Sequence, residues 1–88
     1  MATITLPARI TMAEARATLA QLKPQLQAAD NPVIDASGLA ELDTAALALL
    51  LECQRQAHAR GKQLQVVAAP PKLGQLATLY GVSGLLGL

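Results

Sequence analysis

Aromatic residues are almost absent from this chain, because Tyr80 is the only one among 88 residues. Proteins that bind single-stranded nucleic acid usually stack bases on aromatic side chains. The net charge of +1 also provides no basic footprint for a phosphate backbone. The sequence therefore argues against nucleic acid as a partner. Hydrophobic residues still make up 52% of the chain, so the core must be aliphatic.

Cysteines, secretion signals and long apolar runs are equally scarce. Cys53 is the sole cysteine, which excludes a disulfide within the chain and predicts a small buried thiol. The first residues, MATITLPARIT, lack the basic and apolar regions of a signal peptide. The longest apolar run has seven residues, whereas a membrane-spanning helix needs about 20. We expect a cytoplasmic protein that does not insert directly into a membrane.

Residues that could carry out catalysis are few and widely separated. His58 is the only histidine, and neither Ser37 nor Ser83 lies in a G-x-S-x-G elbow. Cys53 and His58 are five positions apart, a spacing that does not bring two metal ligands to one helical face. Glycine-rich phosphate-binding motifs are missing as well. We therefore expect no catalytic, cofactor-binding or metal-binding residues, and we expect His58 on the solvent side of its helix.

Three acidic residues lie close together in the sequence, namely Asp35, Glu41 and Asp43. Neighbouring carboxylates can act as a catalytic pair. Aspartate is also a common turn and N-cap residue, and these structural roles are the simpler explanation. An enzyme is therefore not the expected function.

Apolar periodicity and turn residues predict three strands that alternate with three helices. The predicted strands cover residues 2–6, 33–37 and 62–69, and the predicted helices cover residues 11–29, 44–60 and 71–80. Strands separated by helices pair in parallel. The sequence therefore predicts a single α/β domain over residues 1–88, with the order β-α-β-α-β-α and helices packed on one small sheet.

Several residues mark the expected limits of these elements. Thr11 and Glu14 form a capping-box pattern in which the hydroxyl and the carboxylate each bind a free amide. Pro24 predicts a kink or an early stop of the first helix near Lys23. Gly61 is placed to end the second helix in a left-handed conformation. Only one clear strand has room to form before the first helix.

The stretch ELDTAALALLLE, residues 41–52, contains the most unusual pattern in the chain. Asp43 is expected to cap the helix that follows. Residues 45–51 are all apolar and cover the whole helix circumference, although a small domain is expected to bury only one side. We therefore expect part of this helix to contact another protein. The predicted partner-binding residues are Asp43, Thr44, Ala45, Ala46, Ala48 and Leu49.

The segment from VIDASG to VSGLL, residues 33–86, resembles the STAS domain, a module shared by anti-sigma factor antagonists and sulfate transporters. Asp35 at a strand end, and Asp43 followed by Thr44 at a helix start, match the family pattern. The pattern of residues 43–51 and the stretch LATLYGV are especially similar to the STAS subunits of phospholipid-transporting ABC complexes of Gram-negative bacteria. The resemblance covers about residues 3–86 and implies a largely parallel sheet of about four strands.

The resemblance also implies a function. The chain would be a non-catalytic accessory subunit that binds the ATPase of an ABC-type phospholipid transporter and contributes to its activity. Its partner would be this ATPase and, indirectly, a membrane permease, which places it at the inner membrane only through the complex. The threonine that matches Thr44 would lie in the docking surface.

Two alternatives remain open from the sequence. The first is an anti-sigma factor antagonist, in which a serine two positions after the aspartate is phosphorylated; Ala45 occupies that position here and argues against it. Phosphorylation of Thr44 would revive this alternative. The second is a binder of a small ligand or nucleotide that uses the loop at residues 37–41. The sequence does not decide whether the chain also forms a homodimer.

Overall fold

The computed structural model describes residues 3–88, and it has the α/β architecture that the sequence predicts. Its elements are β1 (Thr3–Thr5), β2 (Arg9–Ile10), α1 (Ala15–Ala28), β3 (Val33–Asp35), β4 (Glu41–Leu42), α2 (Thr44–Ala59), β5 (Gln65–Val67), α3 (Pro71–Leu79) and α4 (Ser83–Leu86). α2 and α3 match the predicted limits to within one residue, whereas α1 begins at Ala15, four residues after its predicted start. The main strands are shorter than predicted, and Ala2 lies outside the described residues.

The main sheet has the strand order β1-β3-β5, with both pairs parallel. Ile4, Ile34 and Val66 stand side by side across its centre. Their side chains are at most 8% exposed. Alternation with period two places this row on the face that packs against the helices. The prediction of a central strand at residues 33–37 is confirmed.

Two short strands were not predicted from the sequence. β2 pairs in parallel with β4, which places Ile10 beside Leu42 and Arg9 beside Glu41. Both apolar side chains are buried. Arg9 Nη1 lies 3.3 Å from Glu41 Oε2. Segments of two residues have no measurable periodicity, so only their packing reveals them. Within residues 3–88, β1 and β2 join different sheets and form no hairpin with each other.

The start of α1 differs from the predicted capping box. Glu14 Oε1 accepts the Thr11 amide at 2.9 Å, as predicted. The Thr11 hydroxyl donates to that same oxygen at 2.6 Å instead of accepting an amide, so half of the box is wrong. The bond from the hydroxyl has the larger effect, and together the two bonds hold the pKa of Glu14 below its usual value. The turn formed by these residues precedes the helix, which begins at Ala15.

Of the kink or early stop predicted near Lys23, the stop is wrong, because α1 continues through Pro24 to Ala28. Proline removes the hydrogen bond to the carbonyl four residues earlier, which belongs to Ala20. Pro24 and Ala20 both lie on the exposed side of α1. Water can therefore bind the unpaired carbonyl, which lowers the cost of proline at this position.

α2 occupies the centre of the domain. It packs against α1 and also against α3 and α4, and it shares the hydrophobic core with the sheet. Ala46, Leu50 and Cys53 are 0% exposed. The helix ends as predicted at Gly61, which has a φ of 71° and donates its amide to His58 O. The rest of the domain therefore covers two sides of α2, whereas the sequence predicted that only one side would be covered.

Replacement of Gly61 by alanine should lower the free energy of unfolding by about 1 kcal/mol, because an L-residue strains at left-handed φ. No atom lies within 4 Å of a Cβ built there, so the cost is conformational. The control is Gly74→Ala within α3, which also has open space and should gain up to about 1 kcal/mol from helix propensity. Urea unfolding measures both. Equal stabilities of the two variants would contradict this account.

The Cys53 thiol should make stability depend on pH. Burial raises its pKa to about 12 from the usual 9.0. The folded chain therefore retains a proton that the unfolded chain loses, so stability should fall as pH rises from about 9 towards 12. Cys53→Ala lowers stability at every pH but removes this slope. Urea unfolding from about pH 8 to about pH 11 compares the two proteins; identical slopes would refute the prediction.

Candidate functional site

The junction of β4 and α2 is organised by the Asp43 carboxylate. Asp43 has an extended backbone, and its Oδ1 accepts the Ala45 amide at 2.8 Å. This is an N-cap bond, and such bonds stabilise a helix by typically about 1 kcal/mol. The predicted cap role of Asp43 is confirmed.

The second carboxylate oxygen of Asp43 reaches another part of the chain. Its Oδ2 accepts the amide of Met12 at 3.2 Å, so one side chain connects the start of α2 to the turn that precedes α1. Met12 is 82% exposed and is held beside the α2 N-terminus by this bond. The sequence does not predict this role of Met12, because the two residues are 31 positions apart and no local pattern joins them.

Thr44 is the first residue of α2 and its side chain is exposed. Asp43 already occupies two of the nearby amides, those of Ala45 through its carboxylate and Ala46 through its carbonyl. Within residues 3–88, the Thr44 hydroxyl forms no hydrogen bond that would hold it against the domain. An exposed hydroxyl therefore stands at the positive end of a 16-residue helix.

The six predicted partner-binding residues divide into three groups by exposure. Thr44 and Ala48 are exposed, and Asp43 and Ala45 are half-buried. Ala46 and Leu49 are only 0% and 4% exposed, so the prediction of an open partner surface is corrected for these two residues. The physical reason is that α2 is enclosed by the chain's own helices. We define the docking edge as Asp43, Thr44, Ala45 and Ala48.

The other acidic residues near this junction have structural partners. Asp35 Oδ1 accepts the Ser37 amide at 2.9 Å. That bond, together with the Ser37 hydroxyl, holds the pKa of Asp35 below its usual value. Glu41 faces Arg9 across the β2–β4 pair. Asp35 and Asp43 thus have the predicted turn and cap roles, whereas Glu41 lies in a strand and forms an ion pair.

The loop at residues 37–41 is also tied down by its own backbone. The Leu39 amide donates to Ala36 O, and the amides of Ala40 and Glu41 both donate to Ala8 O at 2.8 and 2.9 Å. Leu39 is 3% exposed and fills the core below the loop. These amides are consequently occupied, and the loop offers little to the small ligand that one alternative places there.

His58 and Cys53 lie in different environments on α2. His58 is exposed in the last helical turn, as predicted, and Cys53 is buried in the core. Across residues 3–88, no three metal-ligating side chains form a cluster that could hold an ion.

Of two comparisons with known proteins, one finds a match. In the part of the chain that the structure describes, none of the helices has the length and apolar character needed to cross a bilayer. No curated protein matches the chain significantly. A family model described as "Mlab, STAS domain" matches residues 1–87, which is nearly the whole sequence and includes Asp43 and Thr44. The chain therefore belongs to the STAS domain family.

Proposed function

We propose that this chain is a non-catalytic accessory subunit that binds the cytoplasmic ATPase of an ABC-type phospholipid transporter. The single observation that carries the proposal is the geometry of the docking edge. Thr44 is exposed at the start of α2 while Asp43 fixes the backbone on both sides of it. The match to a family described by the name Mlab supports the transporter over other STAS functions.

The docking edge suits a partner that approaches closely. Thr44 and Ala48 are four residues apart on a helix, so they lie on the same face. Both are exposed, and both are small. A partner helix or loop could therefore contact the backbone of α2, and Met12, with an exposed thioether next to this edge, adds an adaptable apolar contact.

A constitutive contact fits this surface better than a switch. Ala45, at the position where antagonists of the family carry the phosphorylated serine, has no hydroxyl. Its side chain is half-buried. The subunit would therefore remain bound to the ATPase and support its assembly, and it would reach the permease and the inner membrane only through that complex.

The second candidate is an anti-sigma factor antagonist, and the exposed Thr44 hydroxyl favours it. Phosphate at a helix N-terminus is stabilised by the helix dipole and changes the charge of a docking surface by nearly two units. Incubation with candidate anti-sigma kinases followed by intact-mass analysis tests this function. A phosphate on Thr44 would support the antagonist, whereas an unchanged mass would leave the transporter subunit as the better explanation.

Thr44→Glu should weaken binding to the partner ATPase by about tenfold or more. A longer charged side chain would stand where the partner contacts α2, and burying an unpaired carboxylate is unfavourable. The fold should be retained, because an acidic residue in the first turn complements the helix dipole. Co-purification of the two proteins after co-expression, quantified by gel densitometry, is the measurement.

The matched control is Thr78→Glu, an identical change at an exposed threonine of α3 that lies outside the docking edge. An acidic residue in the last turn of a helix opposes the dipole, so this variant should lose a little more stability than Thr44→Glu. It should nevertheless retain the ATPase as well as the wild type does. If the wild type recovers no ATPase, or if Thr44→Glu recovers as much as Thr78→Glu, the proposed docking edge is wrong.

A further inference from the structure

A cleft with a volume of about 330 Å³ lies between the C-terminal halves of α1 and α2. Leu26 and Ala57 belong to its apolar lining, and both are 6% exposed. No acidic residue lines the cleft, whereas four basic residues do, namely Lys23, Arg55, Arg60 and Lys62. We call this feature the basic cleft. Its position is remote from the docking edge, because α2 extends about 20 Å between them at 1.5 Å per residue.

The basic cleft concentrates the positive charge of the chain. Four of the seven lysine and arginine residues line it, which leaves three elsewhere. Of the six acidic residues, only Glu52 and Asp30 form ion pairs with these four cations, which leaves four elsewhere. The rest of the chain therefore carries a small negative excess, and the net charge of +1 has its origin at this cleft.

Main-chain carbonyls hold two of the cations in place. Arg60 Nη2 donates to Gln27 O at 3.1 Å, and Lys62 Nζ donates to Ala29 O at 2.9 Å. These carbonyls end α1, where the helix dipole is negative, so the contacts also stabilise that helix. Arginine has five N–H donors and an ammonium has three. Most donors of both side chains therefore remain available to a ligand. The carbonyl bonds already hold these side chains in position.

The acidic residues near these cations neutralise them to different degrees. Lys62 Nζ lies 3.8 Å from Asp30 Oδ1, and the Asp30 side chain is 100% exposed, so water screens this pair strongly. Arg55 is better neutralised, because its Nε lies 3.0 Å from both carboxylate oxygens of Glu52. Lys23 forms none of the hydrogen bonds or ion pairs seen within residues 3–88, although its charge lies close enough to Glu52 to help lower the pKa of that carboxyl. Three cations therefore keep charge that a ligand could pair.

From this juxtaposition we infer that the basic cleft binds a compact anion that carries a phosphate group, with Lys23, Arg60 and Lys62 as the donors. The side chain of Lys62 is 21% exposed, so a bound anion would be partly shielded from solvent, which strengthens the ion pairs. A phosphate group is smaller than the cleft, so the volume leaves room for the remainder of the ligand. This site goes beyond the proposed docking function, since it uses other residues at the opposite end of α2.

Two kinds of ligand that carry a phosphate group, one soluble and one a lipid, test the inference. Isothermal titration of the whole chain with inorganic pyrophosphate at low ionic strength probes a soluble ligand. Flotation with vesicles of phosphatidylglycerol, compared with vesicles of phosphatidylcholine, probes a lipid headgroup. Binding in the first arm assigns a soluble phosphate compound, and binding to the anionic vesicles alone assigns a headgroup. In either case added salt should weaken the binding, because Coulomb attraction is screened.

Substitutions within and outside the basic cleft distinguish a site from general attraction to charge. Lys23→Gln and Arg60→Gln should each weaken binding about tenfold, and the first should fold normally because Lys23 forms none of the described polar contacts. Arg16→Gln and Lys72→Gln remove exposed cations elsewhere and should have little effect. Absence of binding in both arms, or equal losses from Arg16→Gln and Lys23→Gln, would overturn the proposal.

A final comparison separates this inference from the docking function. Lys23→Gln should retain the ATPase in co-purification, and Thr44→Glu should retain pyrophosphate or vesicle binding. Loss of anion binding in Thr44→Glu while the protein remains folded would show that the ligand does not occupy the basic cleft.

Discussion

The packing of α2 within the domain is the constraint on which the other features depend. This helix contacts the three other helices and shares the core with the sheet, so Ala46, Leu50 and Cys53 are completely buried. A chain with a single aromatic residue cannot fill its core with large rings. It relies on close approach of helices, which small residues such as Ala57 and Ala77 permit. Because the middle of α2 is used for folding, its exposed residues lie towards its two ends.

The two ends of α2 differ in chemistry in the way that the helix dipole would suggest. At the N-terminus, the Asp43 carboxylate accepts amides from two segments, and the exposed Thr44 stands beside it. At the C-terminal end, Arg60 and Lys62 donate to the last carbonyls of α1. Each arrangement complements the partial charge of a helix end. Each also joins α1 to α2, so the residues that stabilise the helix pair are those that shape the docking edge and the basic cleft.

Local signals in the sequence were reliable where a single element decides the conformation. Asp43 caps α2 and Gly61 ends it at a positive φ, because each depends on residues within one helical turn. The early stop expected at Pro24 does not occur, because the cost of proline depends on whether water reaches a particular carbonyl. The half-formed capping box shows the same limit, since the direction of the Thr11 hydroxyl bond depends on how the whole turn folds.

Sequence alone determined the α/β class, the parallel order of the main strands, the limits of α2 and α3 and the absence of aromatic stacking surfaces, because periodicity, caps and composition are local properties. Only the tertiary structure decided which apolar residues of α2 are free. Ala46 and Leu49 are covered by the chain itself, whereas Ala48 is not. The bond from Met12 to Asp43 and the cations of the basic cleft join residues more than 30 positions apart. Such contacts follow from how helices pack against one another, which no local pattern encodes.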